Sequence, residues 1–409
     1  MSRVPARPTY DAEVLLMPLR GETTHAHALF KRTYTFDRNG RCVLAPPEPL
    51  LHDWRDPAVE RPLLGGSDFW LTKPRTDLVV QGAVCAPEAQ QVVRMRAGIV
   101  IGSVRKEIAV SGPRAITWRS GRPVIGDPAP FTTVPMAWSE AYGGIDWRVA
   151  VPGAATMTDN EKIEAAIRTR FDHPGMYPRN PFGRGYLVET GEVEKLFAPC
   201  LEDPADLLTA DRLVIRDPAT WWRQPLPWCL DWTNLIMFPR AGWFAPSVEP
   251  WYPVTDDATL PEVQRGLLPA DYRSHRAEGV DLRFFQGASH GLAIDRPATG
   301  ATLRITGMHP ERTSLDVVLP PTQAEITFVI EGRSTRTAAR LHHVVVRPSD
   351  GVLTLVFASE TALARPFIPG IHKHIPVAAS LDGDDPVPFP TPPTARERMA
   401  AAQSPKTPA

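Results

Sequence analysis

Hydrophobic and polar residues alternate with a period of two along much of the chain, which is the pattern of half-buried β-strands. Near the start, AEVLLMPL (12–19) and HAHALFKRTYTF (25–36) predict two such strands. After a proline-rich loop, LVVQGAVCA (78–86) predicts one continuous apolar strand. The segments 90–97 and 103–112 then predict an antiparallel meander with one wet face, and the stem of Lys106 falls on the apolar face.

Strand patterns return after residue 300 at a spacing of about ten residues, with Gly or Pro at the turns. The segments are ATLRITG, SLDVVLP, AEITFVIEG, TRTAARLHHVVVRP and GVLTLVFAS. Short strands at this spacing are typical of a β-sandwich or a β-barrel.

The stretch between these two strand-rich regions has a different character. DNEKIEAAIRTRF (159–171) predicts a short helix, because Asp159 or Asn160 can cap it and an apolar stripe follows. The rest is rich in proline and tryptophan, and core packing is the preferred interpretation for most of its indole rings. These tryptophans are Trp221, Trp222, Trp228, Trp232, Trp243 and Trp251.

The predicted fold class is mainly β. Antiparallel meanders form two β-sandwich or barrel-like units, with a Pro/Trp-rich loop region and a short helix between them. The predicted boundaries are 1–150 for the N-terminal β-rich unit, 151–290 for the middle region and 291–382 for the C-terminal β-rich unit. Residues 383–409 predict a Pro-rich flexible tail.

Composition limits the function classes. The 45 Lys and Arg residues balance 46 Asp and Glu residues, so no basic surface for nucleic acid or a membrane is indicated. The N-terminal apolar stretch is short and ends at Pro18, and no apolar run is long enough to span a bilayer. Four widely spaced cysteines predict buried, reduced thiols. A cytoplasmic protein is expected.

The segment 177–186, YPRNPFGRGY, predicts a stiff and ordered loop. Its two prolines fix φ and remove backbone donors, while its two glycines admit angles closed to other residues. Such a loop would present Arg179, Asn180 and Arg184, and exposed loops with aromatic rings and arginine suit recognition surfaces. A connector that only packs is the alternative, and the residues alone leave both open.

Candidate catalytic residues form no sound constellation. His25/His27 and His372/His374 have the i, i+2 spacing that places two imidazoles on one strand face, but no third metal ligand is signalled. We therefore predict exposed strand histidines, with no metal, cofactor or catalytic residue. The scattered carboxylates show no acid–base spacing, and the chain lacks a G-x-S-x-G elbow. These carboxylates are Glu140, Asp146, Glu202, Asp203 and Asp281.

Several motifs occur in a fixed order. SDFWLTKPRTD (67–77) contains Ser67-Asp68, Lys73-Pro74 and Asp77, and MYPRNPFGRGY (176–186) contains Y-P-x-N-P-x-G-x-G. The others are KRTYTFD (31–37), GSVRKEIAVSGPR (102–114), FTTVPMAWSEAYGG (131–144), LEDP (201–204), DLRFFQGA (281–288) and GMHPE (307–311). Together they resemble the family called domain of unknown function 2169, which is found beside type VI secretion genes. The stretches 150–172 and 205–265 depart from the family pattern.

The resemblance implies a cytoplasmic adaptor or chaperone that binds a toxin effector, often with a PAAR-like domain, and helps load it on the secretion spike. It implies no enzymatic activity. The residues expected to contact the partner are Phe69, Trp70, Lys73, Tyr177, Arg179, Asn180 and Arg184. The alternative for each is that it supports the fold, with Asp68 or Asp77 paired to Lys73 or Arg75.

Two other functions stay open at this point. One is a carbohydrate- or peptidoglycan-active hydrolase on a β scaffold, which would need an aromatic groove and a carboxylate pair. The other is a structural subunit of the secretion apparatus.

Overall fold

The computed structural model describes residues 10–18, 24–51, 66–69, 73–150, 175–188, 191, 196–215, 217–234, 237, 240, 282–364 and 375–390. The predicted helix at 159–171, Trp70, Trp243, Trp251 and the pair His372/His374 lie outside these residues. None of the helices in the described part of the chain is long and apolar enough to cross a membrane.

Strands dominate the described residues, and the helices among them are short, at three to six residues. The first eleven strands are β1 (Asp11–Pro18), β2 (Thr24–Phe36), β3 (Cys42–Leu44), β4 (Thr76–Val80), β5 (Ala83–Cys85), β6 (Arg94–Ile101), β7 (Val104–Ser111), β8 (Arg114–Arg119), β9 (Arg122–Ile125), β10 (Thr133–Pro135) and β11 (Tyr142–Gly143). The next eleven are β12 (Arg184–Gly185), β13 (Phe197–Ala198), β14 (Leu201–Glu202), β15 (Ala293–Ile294), β16 (Thr302–His309), β17 (Arg312–Val318), β18 (Ala324–Ile330), β19 (Arg333–Arg347), β20 (Val352–Ala362), β21 (Val377–Leu381) and β22 (Val387–Pro388). Helix α1 is Trp147–Ala150, and 3-10 turns occupy Pro87–Ala89, Trp138–Glu140, Ala210–Arg212, Pro218–Arg223 and Leu282–Phe285.

The larger sheet has ten strands and curls into a half-barrel. Its main order is β1-β2-β20-β19-β18-β21-β22, with β3 beside β2 and with β4 between β19 and β15. The curl brings the two ends of this order together: the Tyr10 hydroxyl, just before β1, donates to the Val387 carbonyl, and its ring lies 5.6 Å from that of Phe389. All these pairings are antiparallel except β4 with β19, which is parallel.

A second sheet of five strands has the order β14-β7-β6-β16-β17. The main core lies between its inner face and that of the larger sheet, where alternate residues of both meet. The β2–β3 turn closes against the edge of β17: Val318 N donates to Gly40 O at 2.9 Å. Gly40 has φ +73°, and a Cβ there would lie 1.5 Å from the Asp316 carbonyl oxygen, so only glycine fits this approach.

The mainly β prediction is confirmed, and both large sheets combine strands from the predicted N-terminal and C-terminal units. The single strand predicted at 78–86 is wrong, because Gly82 at φ +120° separates β4 from β5. The flexible tail predicted from 383 is wrong for its first residues, since β22 pairs with β21 and Phe389 is buried. The four cysteines are free and three are buried, in line with the thiol prediction.

Candidate functional site

The loop 177–186 packs into the protein instead of projecting from it. The Tyr177 side chain is fully buried, and its ring lies 5.1 Å from that of Tyr142 and 5.4 Å from that of Tyr186. Its hydroxyl donates to the Pro225 carbonyl at 2.9 Å, and burial raises its pKa to about 12. The loop is ordered as expected, but the exposure predicted for Asn180 and Arg179 is wrong.

Asn180 connects this loop to the segment that precedes α1. Its side-chain Nδ2 donates to the Trp138 carbonyl at 2.8 Å and to the Tyr142 carbonyl at 3.0 Å. Its own carbonyl accepts from Gly144 N at 2.8 Å. A Cβ on Gly143, which has φ +143°, would lie 2.1 Å from that carbonyl oxygen. Gly143 and Gly144 therefore allow the backbones of the two segments to approach closely, and the hydrogen bonds of Asn180 stabilise this approach.

Replacing Asn180 with alanine should lower the free energy of unfolding by about 1–3 kcal/mol, because the Tyr142 carbonyl loses the donor Nδ2 and the Trp138 carbonyl keeps only Ala141 N, at 3.2 Å. Chemical denaturation measures the change. The exposed Asn39, whose backbone N–H rather than side chain bonds to Asp37, offers the control Asn39→Ala. Equal, small losses in the two variants would contradict the role of Asn180 in joining the segments.

The two arginines of the loop bind the protein's own chain. Arg179 is 2% exposed, donates to the Trp222 carbonyl at 3.3 Å and stacks over the Trp221 ring at 5.3 Å. Arg184 is half-buried, donates to the Ser139 carbonyl at 2.8 Å and forms an ion pair with Glu140. These contacts support the alternative that the arginines stabilise the fold, and partner contact stays a prediction.

The residues of the 67–77 motif form buried ion pairs on the larger sheet. Asp68 lies 3.0 Å from Lys31 Nζ and 3.2 Å from His343 Nδ1, and it accepts from Leu51 N at 2.8 Å. Burial alone would raise the pKa of the Asp68 carboxyl, but the His343 hydrogen bond and the Lys31 charge lower it to about 2. Burial lowers the pKa of His343 to about 4.

Lys73 and Asp77 form the second ion pair, and both side chains are fully buried. Asp77 also accepts from Gly287 N at 2.8 Å and from Gln286 Nε2 at 2.6 Å. Burial lowers the pKa of Lys73 to about 8 against the opposing effect of the Asp77 charge. The pairing of Asp77 with Lys73, which was the fold-supporting alternative, is confirmed; exposed Arg75 pairs instead with Asp295 at 3.1 Å.

Phe69 is also buried. It packs in a small apolar cluster with Leu15, Leu29, Leu50 and Ala358 on the outer face of β2. The prediction of partner contact presumed an exposed side chain at Phe69 and Lys73, and that presumption is wrong. The segments 45–51 and 66–69 cover this face of the sheet, which sequence alternation in β2 could not reveal.

Lys106 follows the face predicted for it and is 4% exposed. Its Nζ donates to Ser289 Oγ at 2.7 Å and to the His290 carbonyl at 2.8 Å, and it lies 3.9 Å from the Trp228 ring centroid. Among the described ion pairs none involves Lys106, and burial lowers its pKa to about 7. Ser289 directly follows the 281–288 motif, but no local pattern in the sequence predicts that it accepts from Lys106.

The carboxylates considered as catalytic candidates mostly pair with arginine. Glu140 pairs with Arg184, Asp146 with Arg148 and Glu202 with Arg114. Asp203 accepts from Ala205 N at 2.9 Å, and Asp281 lies outside the described residues. Each of the four described carboxylates therefore forms an ion pair with a nearby arginine or accepts a hydrogen bond from a backbone N–H, as structural carboxylates do.

The open face of the five-stranded sheet carries a depression of about 420 Å³. Gly98 forms part of its floor, since it lies between Glu107 on β7 and Thr306 on β16. Three arginine side chains, 60–66% exposed, surround it: Arg96, Arg105 and Arg304. Glu107 lies 3.4 Å from Arg96, and Asp316 lies 2.7 Å from Arg304. Three arginines against two carboxylates leave this arginine trough positively charged.

The histidine pair on β2 differs from its prediction. His27 is 1% exposed rather than exposed, and its ring stacks with that of His25 at a centroid distance of 6.1 Å. Glu360 on β20 lies opposite His27, and Glu360 Oε2 is 3.4 Å from His27 Nδ1. In the described part of the chain this is the group whose donor atoms lie close enough to share a cation.

These features define a β-rich protein with two sheets. Polar residues of its ordered motifs point inward, and their buried contacts attach long loops to these sheets. The model of a bacterial family, described as uncharacterized protein conserved in bacteria (DUF2169), matches residues 21–358. The chain belongs to this family, which confirms the family resemblance of the motifs. No curated protein and no solved structure matches the chain.

Proposed function

We propose that the protein is a non-catalytic adaptor that binds a type VI secretion effector and assists its loading on the secretion spike. The resemblance of the ordered motifs implies this role, and the effector is expected to carry a PAAR-like domain. One observation on the structure supports a binding role: the arginine trough is an open, charged surface formed by a rigid sheet.

Arginine is well suited to such a surface. Its planar guanidinium binds carboxylates through two parallel hydrogen bonds, and it is enriched among residues that dominate binding energy. The trough carries more positive than negative charge, so an acidic segment of the effector is the partner that fits it. Ion pairs with Glu107 and Asp316 hold the arginines in place before binding.

The hydrolase alternative receives less support. A glycosidase-type acid and base need two carboxyl groups about 5–9.5 Å apart across an open cleft. The candidate carboxylates Glu140, Asp146 and Glu202 are instead bound to arginines. The polar motif residues that point inward stabilise the fold and do not line an open cleft.

The test is co-expression of this chain with the toxin and PAAR-like products encoded beside it, followed by a pull-down. A stoichiometric complex on which toxin solubility or secretion depends would support the adaptor. Stable presence in isolated spikes without an effector would favour a structural subunit. A chain that purifies alone, with no neighbouring product bound, would contradict the proposal.

A triple variant tests the surface separately. Replacing Arg96, Arg105 and Arg304 with alanine should weaken effector binding at least about tenfold, because each guanidinium contributes charge-assisted bonds. The melting temperature should stay within a few degrees, since exposed ion pairs contribute little to stability. Alanine at the exposed Arg122, Arg333 and Arg336 of other strands gives the matched control. Equal binding by both variants would exclude the trough as the docking surface.

A further inference from the structure

We propose that His25, His27 and Glu360 form a binding site for a divalent transition-metal ion of the zinc class. The three residues each offer one donor atom, and these atoms all lie within 4.8 Å of one another. The donor set is two imidazoles and one carboxylate. The site lies on the outer face of the larger sheet, beyond the buried ion pairs of the motif residues.

The sheet itself brings the donors together. His25 and His27 are two residues apart on β2, so their side chains point to the same face. Antiparallel pairing places Glu360 directly opposite His27 and Ala362 opposite His25. The side chain of Ala362 is small and leaves room beside His25. The two neighbouring strands β2 and β20 therefore supply all three ligands, and no loop residue is needed.

The distances are near those that a shared ion requires. Tetrahedral zinc with bonds of about 2.0–2.2 Å holds two of its ligand atoms about 3.3 Å apart. The separation of His27 Nδ1 and Glu360 Oε2 is already 3.4 Å. His25 Nδ1 has no hydrogen-bond partner among the described residues, so a small rotation of its ring meets no competing bond.

The surroundings differ from those of an ordinary ion pair. His27 is almost completely buried, whereas the Glu360 side chain is 40% exposed, so a cation would enter from the Glu360 side. Three protein ligands leave a fourth tetrahedral position for water or a partner's side chain. Imidazole nitrogen favours zinc, cobalt, nickel and copper over magnesium and calcium, which prefer oxygen ligands.

The experiment uses the untagged full chain and cobalt(II) and zinc as probes. Isothermal titration should show one equivalent of zinc bound, and cobalt should give the visible absorption of a tetrahedral site. Magnesium at the same concentration should not bind. Absence of saturable zinc binding would overturn the proposal.

Variants assign the ligands. His25→Ala and Glu360→Gln change residues that are not fully buried, so both should fold, and each should weaken zinc binding at least about tenfold. His309→Ala, at the end of β16, removes a histidine outside the site and should leave binding unchanged. Zinc binding that stays the same in His25→Ala and Glu360→Gln would place the ion elsewhere and overturn the assignment. Far-ultraviolet circular dichroism confirms the fold of each variant.

Discussion

Replacing Asp77 with alanine should lower the free energy of unfolding by about 3–5 kcal/mol, the typical cost of removing one partner from a buried ion pair. Lys73 would remain fully buried without its counter-ion. Gly287 N and Gln286 Nε2 would also lose the carboxylate that accepts from them. Urea denaturation at neutral pH measures the loss.

Two further variants test whether the loss of stability comes from the buried ion pair of Lys73 and Asp77. The exposed Asp295 pairs with Arg75, and Asp295→Ala should change stability by less than about 1 kcal/mol. The double variant Lys73→Met with Asp77→Leu should be more stable than Asp77→Ala, because it does not leave the Lys73 charge buried without its counter-ion. A double variant that is less stable than Asp77→Ala would mean that the pair is not the source of the effect.

Lys106→Met should make the protein more stable at pH 7, and the advantage should shrink as the pH rises to 9. The pKa of this lysine is 10.5 in the unfolded chain and about 7 in the folded protein. Between these values the unfolded chain binds more protons, so wild-type stability rises with pH by up to about 1.4 kcal/mol per unit. The methionine variant lacks this contribution while retaining much of the apolar stem.

Denaturation of both proteins at pH 7 and pH 9 measures the difference between their free energies of unfolding. This difference should be about 2 kcal/mol smaller at pH 9 than at pH 7. The other titrating groups are present in both proteins, and most of their contribution to the pH dependence cancels in the comparison. Arg105→Met removes the neighbouring cation from the exposed side of β7, and its stability should keep the pH slope of the wild type. Parallel slopes for wild type and Lys106→Met would show that the buried amine does not titrate in this range.

The strands could be predicted from sequence because their signal is local. Alternation of apolar and polar residues is set by the pleat of a single strand, and β2, β6, β7 and β16 appear where it predicts them. The inward position of Lys106 followed from the same alternation. The pairing of strands was not predictable in this way, since β4 lies parallel to β19 more than 250 residues later.

For the candidate site residues, too, the local sequence predicted some properties and the tertiary structure determined the others. Rigidity of the loop 177–186 followed from its prolines and glycines, which act on their own backbone. Its burial depends on Tyr142, Trp221 and Pro225, which reach it from other parts of the chain. The order of the motifs predicted the family, but not that Asp68, Lys73 and Asp77 pair inside the protein.

By itself the sequence determined the mainly β class, most strand positions, the stiffness of the central loop and the family of the protein. Only the tertiary structure decided which strands share a sheet, which motif residues are buried and what lies beside each buried charge. His27 illustrates the reason: its spacing from His25 is local, whereas Glu360 reaches it through strand pairing across more than 300 residues. Contacts at such separations depend on the whole fold, and no local pattern encodes them.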